Sequence, residues 1–417
     1  MLRPAVPRNV YAFGFTSFFN DIASEMAYWV LPAFLASIGA GPAQLGVIEG
    51  IAESVAAFAQ LLSGQLADRL PRRKPLVVGG YFVANVVKPL LALATSWWQI
   101  LAVRFADRFA KGIRGTARDV MVAESVTSET IGSAYGLIQA MDSAGAIAGP
   151  LLALAILAYS TNVRLVFWAA AVPGALCVLV AVLGIRETTR ERMPRGDERQ
   201  RDDHTLTESS GETRLDAPLP APEELTRANA LVPPLPAGFY YVLVAATLFS
   251  LGNSSDMFLV LRAQNVGIPV VHAPLLGLVF NIMFTLFSWP AGHASDRLPR
   301  NLVAAAGYVV FAVVYFVFAM APTRAAIWAA MSIYGLYYAL TAPVLKALVV
   351  DTVAASVRGR ALGVYSVVTS VATLLASLIT GELWKLDGAR MPLLLSAGMA
   401  MTAAMLLAFG SIQRAHA

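Results

Sequence analysis

Asp21 and Glu25 stand four residues apart in a mainly apolar stretch. A helix turns about 400° over four residues, which puts both carboxyls on one face roughly 6 Å apart. Two carboxylates that close, away from water, cannot both be charged cheaply, so such a pair can hold and pass on a proton. Glu49 and Glu53 repeat the spacing, Asn20 adjoins Asp21, and Asp142 follows Gln139 by three. Another apolar stretch carries Arg104, Arg108, Lys111 and Arg114. Asp107 precedes Lys111 by four, the favourable order for a helical ion pair, and the two read as neutralising each other. Glu49 reads equally as an intramembrane acid and as a solvated residue of the outer mouth. Later in the chain such groups thin to Asp256, Arg262, Asn281 and Lys346. Met257, Tyr337 and Tyr338 read as packing residues.

These groups sit in a chain built for lipid. Of 417 residues, 57% are hydrophobic and 14% charged, against about 25% charged in soluble proteins. Apolar runs predict twelve spans near 9–37, 43–66, 75–95, 99–124, 132–158, 164–186, 238–264, 273–294, 302–321, 324–346, 360–383 and 391–412, each about the 20 residues a bilayer requires. The first run is too long and too acidic for a cleaved leader and reads as a retained span. Arg3, Arg8, Arg69, Arg72, Arg73, Lys74, Arg118, Arg297, Arg300, Arg358, Arg360 and Arg414 fall on one side, and the opposite loops hold few cations. That asymmetry predicts both termini in the cytoplasm. The net charge of +5 follows this topology and does not indicate nucleic acid. Trp97, Trp98, Trp328 and Trp384 fall near span ends, where interfacial rings are favoured. Cys177 has no partner for an intrachain disulfide.

Residues 187–237 combine dense charge with six prolines between 218 and 236, a composition that cannot bury a core and reads as a flexible cytoplasmic linker. The division is an N-terminal six-helix bundle (1–186), the linker, and a C-terminal six-helix bundle (238–417). The halves repeat. Gly64-Gln-Leu-Ala-Asp68-Arg-Leu-Pro-Arg72 aligns with Gly292-His-Ala-Ser-Asp296-Arg-Leu-Pro-Arg300, an offset of 228 (296 − 68). Ser24-Glu25-Met26 answers Ser255-Asp256-Met257, and Glu124-Ser-Val answers Asp351-Thr-Val. Parallel repeats suit a transporter whose site lies between its halves at mid-membrane.

The repeated turn resembles the loop between spans two and three of the major facilitator superfamily, Gly-x-Leu-Ala-Asp-Arg-x-Gly-Arg-Arg/Lys, with Pro71 and Pro299 in place of the second glycine. Proline fixes φ near −65°, so a turn needing positive φ cannot form identically. Arg108-x-x-Lys111-Gly112-x-Arg114 resembles the span-four motif with two departures. Gly145-x-x-x-Gly149-Pro150 resembles the span-five motif associated with antiporters, and is also an ordinary helix-packing pattern. The resemblance covers nearly all of the chain outside 187–237. It implies an all-α membrane protein of twelve transmembrane helices, two six-helix bundles related by a pseudo-twofold axis along the membrane normal. It also implies a cytoplasmic gate made of Asp68, Arg72 and Glu124, repeated as Asp296, Arg300 and Asp351, whose ion pairs form in one of two global states.

The function expected is alternating-access transport, foremost proton-coupled export of a small molecule by a monomer in a bacterial inner membrane. Asn20, Asp21, Glu25, Glu49, Glu53, Arg108, Lys111, Gln139, Asp142, Asp256, Arg262 and Asn281 are the candidates for coupling or substrate contact. No cofactor is expected. Metal-cation export is an alternative, using Asn20, Asp21, Glu25 and Asp256 as oxygen ligands. Uptake of an anionic nutrient, favoured by the span-four cations, is another, and a non-transport membrane sensor a third. Gly-x-Ser-x-Gly, His-Glu-x-x-His and a phosphate-binding loop are absent from the sequence, which argues against an enzyme.

Overall fold

The structure is a computed structural model that describes residues 7–69, 72–126, 131–188, 234–354 and 357–415. The linker expected over 187–237 lies, for 189–233, outside the described residues.

The chain crosses twelve times. In the amino half the crossings are α1 (Arg8–Tyr28) with α2 (Leu31–Ser37), α3 (Pro42–Arg69), α4 (Lys74–Val87) extended by a 3₁₀ turn (Lys88–Leu93), α5 (Trp97–Glu124), α6 (Ile131–Tyr159), and α7 (Val163–Ala169) with α8 (Ala171–Gly184). In the carboxy half they are α9 (Ala237–Gly252) with α10 (Met257–Asn265), α11 (Ala273–Arg297), α12 (Arg300–Met320), α13 (Arg324–Asp351), α14 (Arg358–Asp387) and α15 (Arg390–Ala415). Eight crossings are long and apolar enough to span a membrane on those grounds alone. The crossings at α1, α3, α5 and α13 fall outside that set, and the first three hold most of the intramembrane charges of the amino half, Lys88 and Asp142 excepted.

Of the crossings expected to be continuous, the sixth is interrupted at Ala170 between α7 and α8, and two others, the first and the seventh, break beside the cavity. The first breaks after Tyr28, where Pro32 enters the opening turn of α2 and cannot donate a helical hydrogen bond. The seventh breaks over residues 253–256, after Gly252, at a run of Asn, Ser, Ser and Asp whose side chains compete with the backbone for hydrogen bonds. Interrupted helices that line a cavity are a recurring device in membrane transporters.

α1 packs on α6 and α8, and α5 on α3 and α4; in the carboxy half α12 packs on α13 and α15, and α11 on α13. The halves meet along two seams, α3 with α14 and α6 with α11. At the side of the bundle away from the termini the first seam is backbone to backbone. A methyl group on Gly381 would lie 2.8 Å from the carbonyl oxygen of Pro42, and one on Gly50 3.1 Å from the carbonyl oxygen of Leu374. On the same side α2 meets α10. Small residues let helices approach this closely where lipid supplies no hydrophobic drive between them. On this side the two halves are in direct contact. Trp384, expected at an interface, is instead 5% exposed and packs 5.6 Å from Phe258.

Candidate functional site

Between the halves lies a cavity of about 430 Å³, within the roughly 300–1,000 Å³ typical of small-molecule sites. Its two walls have different chemistry. α1, α3, the 3₁₀ turn after α4, and α5 present Asn20, Asp21, Glu25, Glu53, Lys88, Arg104, Asp107, Arg108, Lys111 and Arg114. The carboxy half presents Asp256, Asn281, Phe280, Phe284 and Tyr338.

Most charges of the amino wall neutralise each other. Arg104 grips Glu49 with two hydrogen bonds, Nε to Oε1 at 2.9 Å and Nη2 to Oε2 at 2.8 Å. Glu49 is 0% exposed and also accepts from Ser255 Oγ of the other half at 3.3 Å. It is therefore not the solvated mouth residue that its sequence position allowed. Arg108 pairs with Glu53 at 3.2 Å. Asp107 pairs with Lys88 at 3.4 Å and approaches Arg104 at 3.9 Å. The expected Asp107–Lys111 helical pair is absent. Lys88 and Arg104 approach Asp107 instead, and Lys111 forms no ion pair or hydrogen bond among the described residues.

Three acids of the cavity have neutral partners only, among the described residues. Asp21 accepts from Asn20 Nδ2 at 3.0 Å. Glu25 accepts from Trp29 Nε1 at 2.7 Å and from Asn281 Nδ2, across the seam, at 3.4 Å. Asp256, at the break before α10, accepts from Tyr334 Oη at 2.6 Å and Tyr338 Oη at 3.4 Å. Asn281 also donates to the carbonyl of Ala146 at 2.9 Å, a second bond across the α6–α11 seam. Gly145 and Gly149 let α6 press on α1 directly beneath these acids. A methyl at Gly149 would meet both Glu25 Cβ and the Ile22 carbonyl at 2.8 Å. Pro150 lies inside α6.

Other sequence candidates lie elsewhere. Arg262 donates to the carbonyls of Phe318 at 2.9 Å, Ala321 at 3.3 Å and Ala319 at 3.4 Å, so it satisfies the end of α12 and not a ligand. Gln139 is exposed and Asp142 sits beside Ser17 and Arg118; neither lines the cavity. Asn20, Asp21, Glu25 and Asp256 all line it, yet no three His, Cys, Asp or Glu side chains among the described residues converge to hold a metal ion. Tyr338 is more than packing, since it donates to Asp256. Three functional groups escaped the sequence reading. Lys88 stands alone in an apolar span, and its lone charge was the signal. Trp29 and Tyr334 look like packing residues until their polar atoms are seen on Glu25 and Asp256.

On the terminal side the two halves carry corresponding ion pairs, Arg73 with Glu124 and Arg300 with Asp351, both at 2.5 Å. Arg72 is exposed; Arg73, not Arg72, holds Glu124. Both partners are offset by 227 between halves (300 − 73 and 351 − 124), so one residue of slippage in the turn makes Arg73 the counterpart of Arg300. The side chains of Asp68, Asp296 and Lys346 lie outside the described residues. Both pairs are formed in this structure, and each lies within one half. The amino pair is also clasped. Thr188 Oγ1 donates to Glu124 at 2.6 Å, and Glu187 accepts from the backbone N–H of Arg73 at 2.8 Å and of Lys74 at 3.1 Å.

Comparison with known proteins agrees with this architecture. The sequence profile of the Major Facilitator Superfamily matches residues 13–261 and 241–416. An uncharacterised MFS-type transporter of Methanocaldococcus jannaschii is 31% identical over 409 residues, covering 96% of this chain and 94% of its own. The multidrug resistance protein MdtG of Enterobacter lignolyticus is 30% identical over 175 residues, 41% of each chain. The crystal structure of the nucleoside transporter NupG superposes with a TM-score of 0.70 at 15% identity, covering 95% of this chain and 98% of that one.

Proposed function

The chain belongs to the major facilitator superfamily of transporters, and from that premise we propose that it exports a small molecule in exchange for protons, by alternating access. We place both termini in the cytoplasm, on the strength of the cationic loops, and read the single chain, with its own complete cavity, as the working unit in the cytoplasmic membrane.

The observation that carries proton coupling is the division of acids in and directly behind the cavity wall. Glu49, Glu53 and Asp107 hold cations, so protonating any of them would leave a buried cation unpaired. Asp21, Glu25 and Asp256 hold no cation among the described residues and can gain a proton without that cost. Glu25 is the best placed of the three because Asn281 ties it to the other half. Neutralising it changes what the α1–α6–α11 junction holds, which is how one proton can bias a two-state equilibrium. The partial similarity to a multidrug resistance protein supports the direction.

The test uses full-length protein in liposomes, with an internal pH dye and a panel of amphipathic drugs, nucleosides and organic acids. An exported substrate should drive counter-movement of protons. Glu25→Gln should abolish the pH-driven component and leave downhill exchange intact. If Asp21→Asn, Glu25→Gln and Asp256→Asn each keep full pH-driven flux, proton coupling through these acids is wrong. A second reading, uptake of an organic anion, draws on the unpaired ammonium of Lys111 and the unpartnered, buried Nε of Arg108. Accumulation against an outward-directed gradient of such an anion would favour it.

A further inference from the structure

A second hollow lies in the carboxy half and shares Glu53 and Tyr338 with the central cavity. It encloses about 250 Å³, less than the roughly 300–1,000 Å³ that a whole drug-sized ligand occupies. It has room for one part of a larger molecule.

Its walls differ from both walls of the main cavity. Nine of its thirteen lining residues bear a hydroxyl, no lysine or arginine among the described side chains lines it, and Glu53 at its rim is already paired with Arg108. Aromatic rings supply the rest: Phe249 and Tyr308 stack 3.9 Å apart and nearly parallel. That stack fixes Tyr308, whose hydroxyl is buried with no hydrogen-bond partner among the described residues. Thr341 and Thr369 donate to carbonyls of their own helices at 2.8 Å, which leaves their oxygens free to accept. The hollow thus offers an orphan donor, several acceptors and flat apolar faces.

This combination selects a ligand class. A charged group entering would find no free counter-charge, and buried charges need one. A purely apolar group would leave the Tyr308 hydroxyl stranded, and unpaired buried polar groups are costly. An uncharged ring edged with hydroxyls satisfies both conditions, with its C–H faces on the aromatic rings and its edges bonded to the walls. We propose that this hollow is a second substrate subsite that takes a polyhydroxylated, uncharged ring, of the glycosyl or cyclitol kind. The charged or amphipathic remainder of the same molecule would occupy the central cavity. The proposal rests on the reading of that cavity as the transport site.

The test is thermal unfolding and tryptophan fluorescence of the full chain in lipid nanodiscs, free of glycoside detergents, titrated with methyl β-glucoside, myo-inositol and the apolar analogue cyclohexylmethanol. The hydroxylated probes should bind saturably and cyclohexylmethanol should not. Tyr308→Phe, which removes one oxygen and keeps the ring, should weaken the hydroxylated probes about tenfold, the worth of one hydrogen bond. Thr369→Val provides a second variant with the same expected direction should Tyr308→Phe unfold. A stabilisation that rises without saturation and is equal in wild type and variants is a co-solvent effect and overturns the proposal. Equal binding of cyclohexylmethanol also overturns it. Because these titrations require no transport, their failure alongside intact, Glu25-dependent proton flux would remove the subsite alone. Loss of Glu25 dependence with saturable glucoside binding would remove the coupling scheme alone.

Discussion

The two walls of the central cavity descend from one repeated unit but solve burial in opposite ways. The amino wall buries charge and pairs it: Glu49 with Arg104, Glu53 with Arg108, Asp107 with Lys88. The carboxy wall buries rings. Behind Phe280, Phe284 and Tyr338, the rings of Phe249, Tyr308, Phe311, Tyr315, Tyr334 and Tyr337 form one connected aromatic cluster, and one acid, Asp256, accepts from two tyrosine hydroxyls. Charge pairs make a wall whose members depend on each other, because removing one strands its partner in low dielectric. Aromatic packing makes a wall that tolerates loss of a single polar atom while its area stays buried. The difference is one of construction: paired charge in the amino half, ring packing and tyrosine hydroxyls in the carboxy half.

The sharpest way to break this contrast is Arg104→Met. It should leave Glu49 buried without its cation and cost about 3–5 kcal/mol, seen as a large drop in the unfolding temperature of detergent-purified protein. Adding Glu49→Met should recover most of the loss, since paired apolar replacements at buried ion pairs are close to neutral. A single variant as stable as wild type would mean the amino wall is not built on paired charge. Tyr334→Phe, on the other wall, should cost less, about 1–3 kcal/mol, because Asp256 keeps Tyr338 and all ring contacts remain. The same melting experiment ranks the two walls.

The smallest effects lie at the terminal-side ion pairs, and they should differ between halves. Arg73 and Glu124 are 8% and 26% exposed and clasped by Thr188; Arg300 and Asp351 are 33% and 51% exposed. Glu124→Gln should therefore lower stability by roughly 1 kcal/mol and Asp351→Asn by less, within the 0–1 kcal/mol of exposed pairs. Paired denaturation curves of the two variants check the order. A larger loss in Asp351→Asn would show that the repeat, and not burial, sets the strength.

Much of the architecture was legible along the chain. Hydropathy, the loop cations and the repeated Asp-Arg-Leu-Pro-Arg turn predict twelve spans in two parallel halves, and the comparisons agree. Residue roles were less legible. Asp107 and Lys111 have ideal helical spacing, yet a lysine from another helix and Arg104 approach the acid instead. Arg262 reads like a ligand group and caps carbonyls. No sequence pattern singles out Trp29 and Tyr334, whose polar atoms donate to Glu25 and Asp256.

The sequence by itself determined that this chain lies in a membrane, that it is a duplicated helical unit, and which residue types stand at membrane depth. These follow from local hydrophobicity and from the spacing along one helix, both properties of neighbouring residues. Only the tertiary structure decided which acids are neutralised and which remain free, which arginine holds Glu124, and that a hydroxyl-lined hollow adjoins the cavity. Those depend on partners from helices far apart in the chain, brought within about 3 Å by the packing of the halves, the range where hydrogen bonds and ion pairs gain their energy.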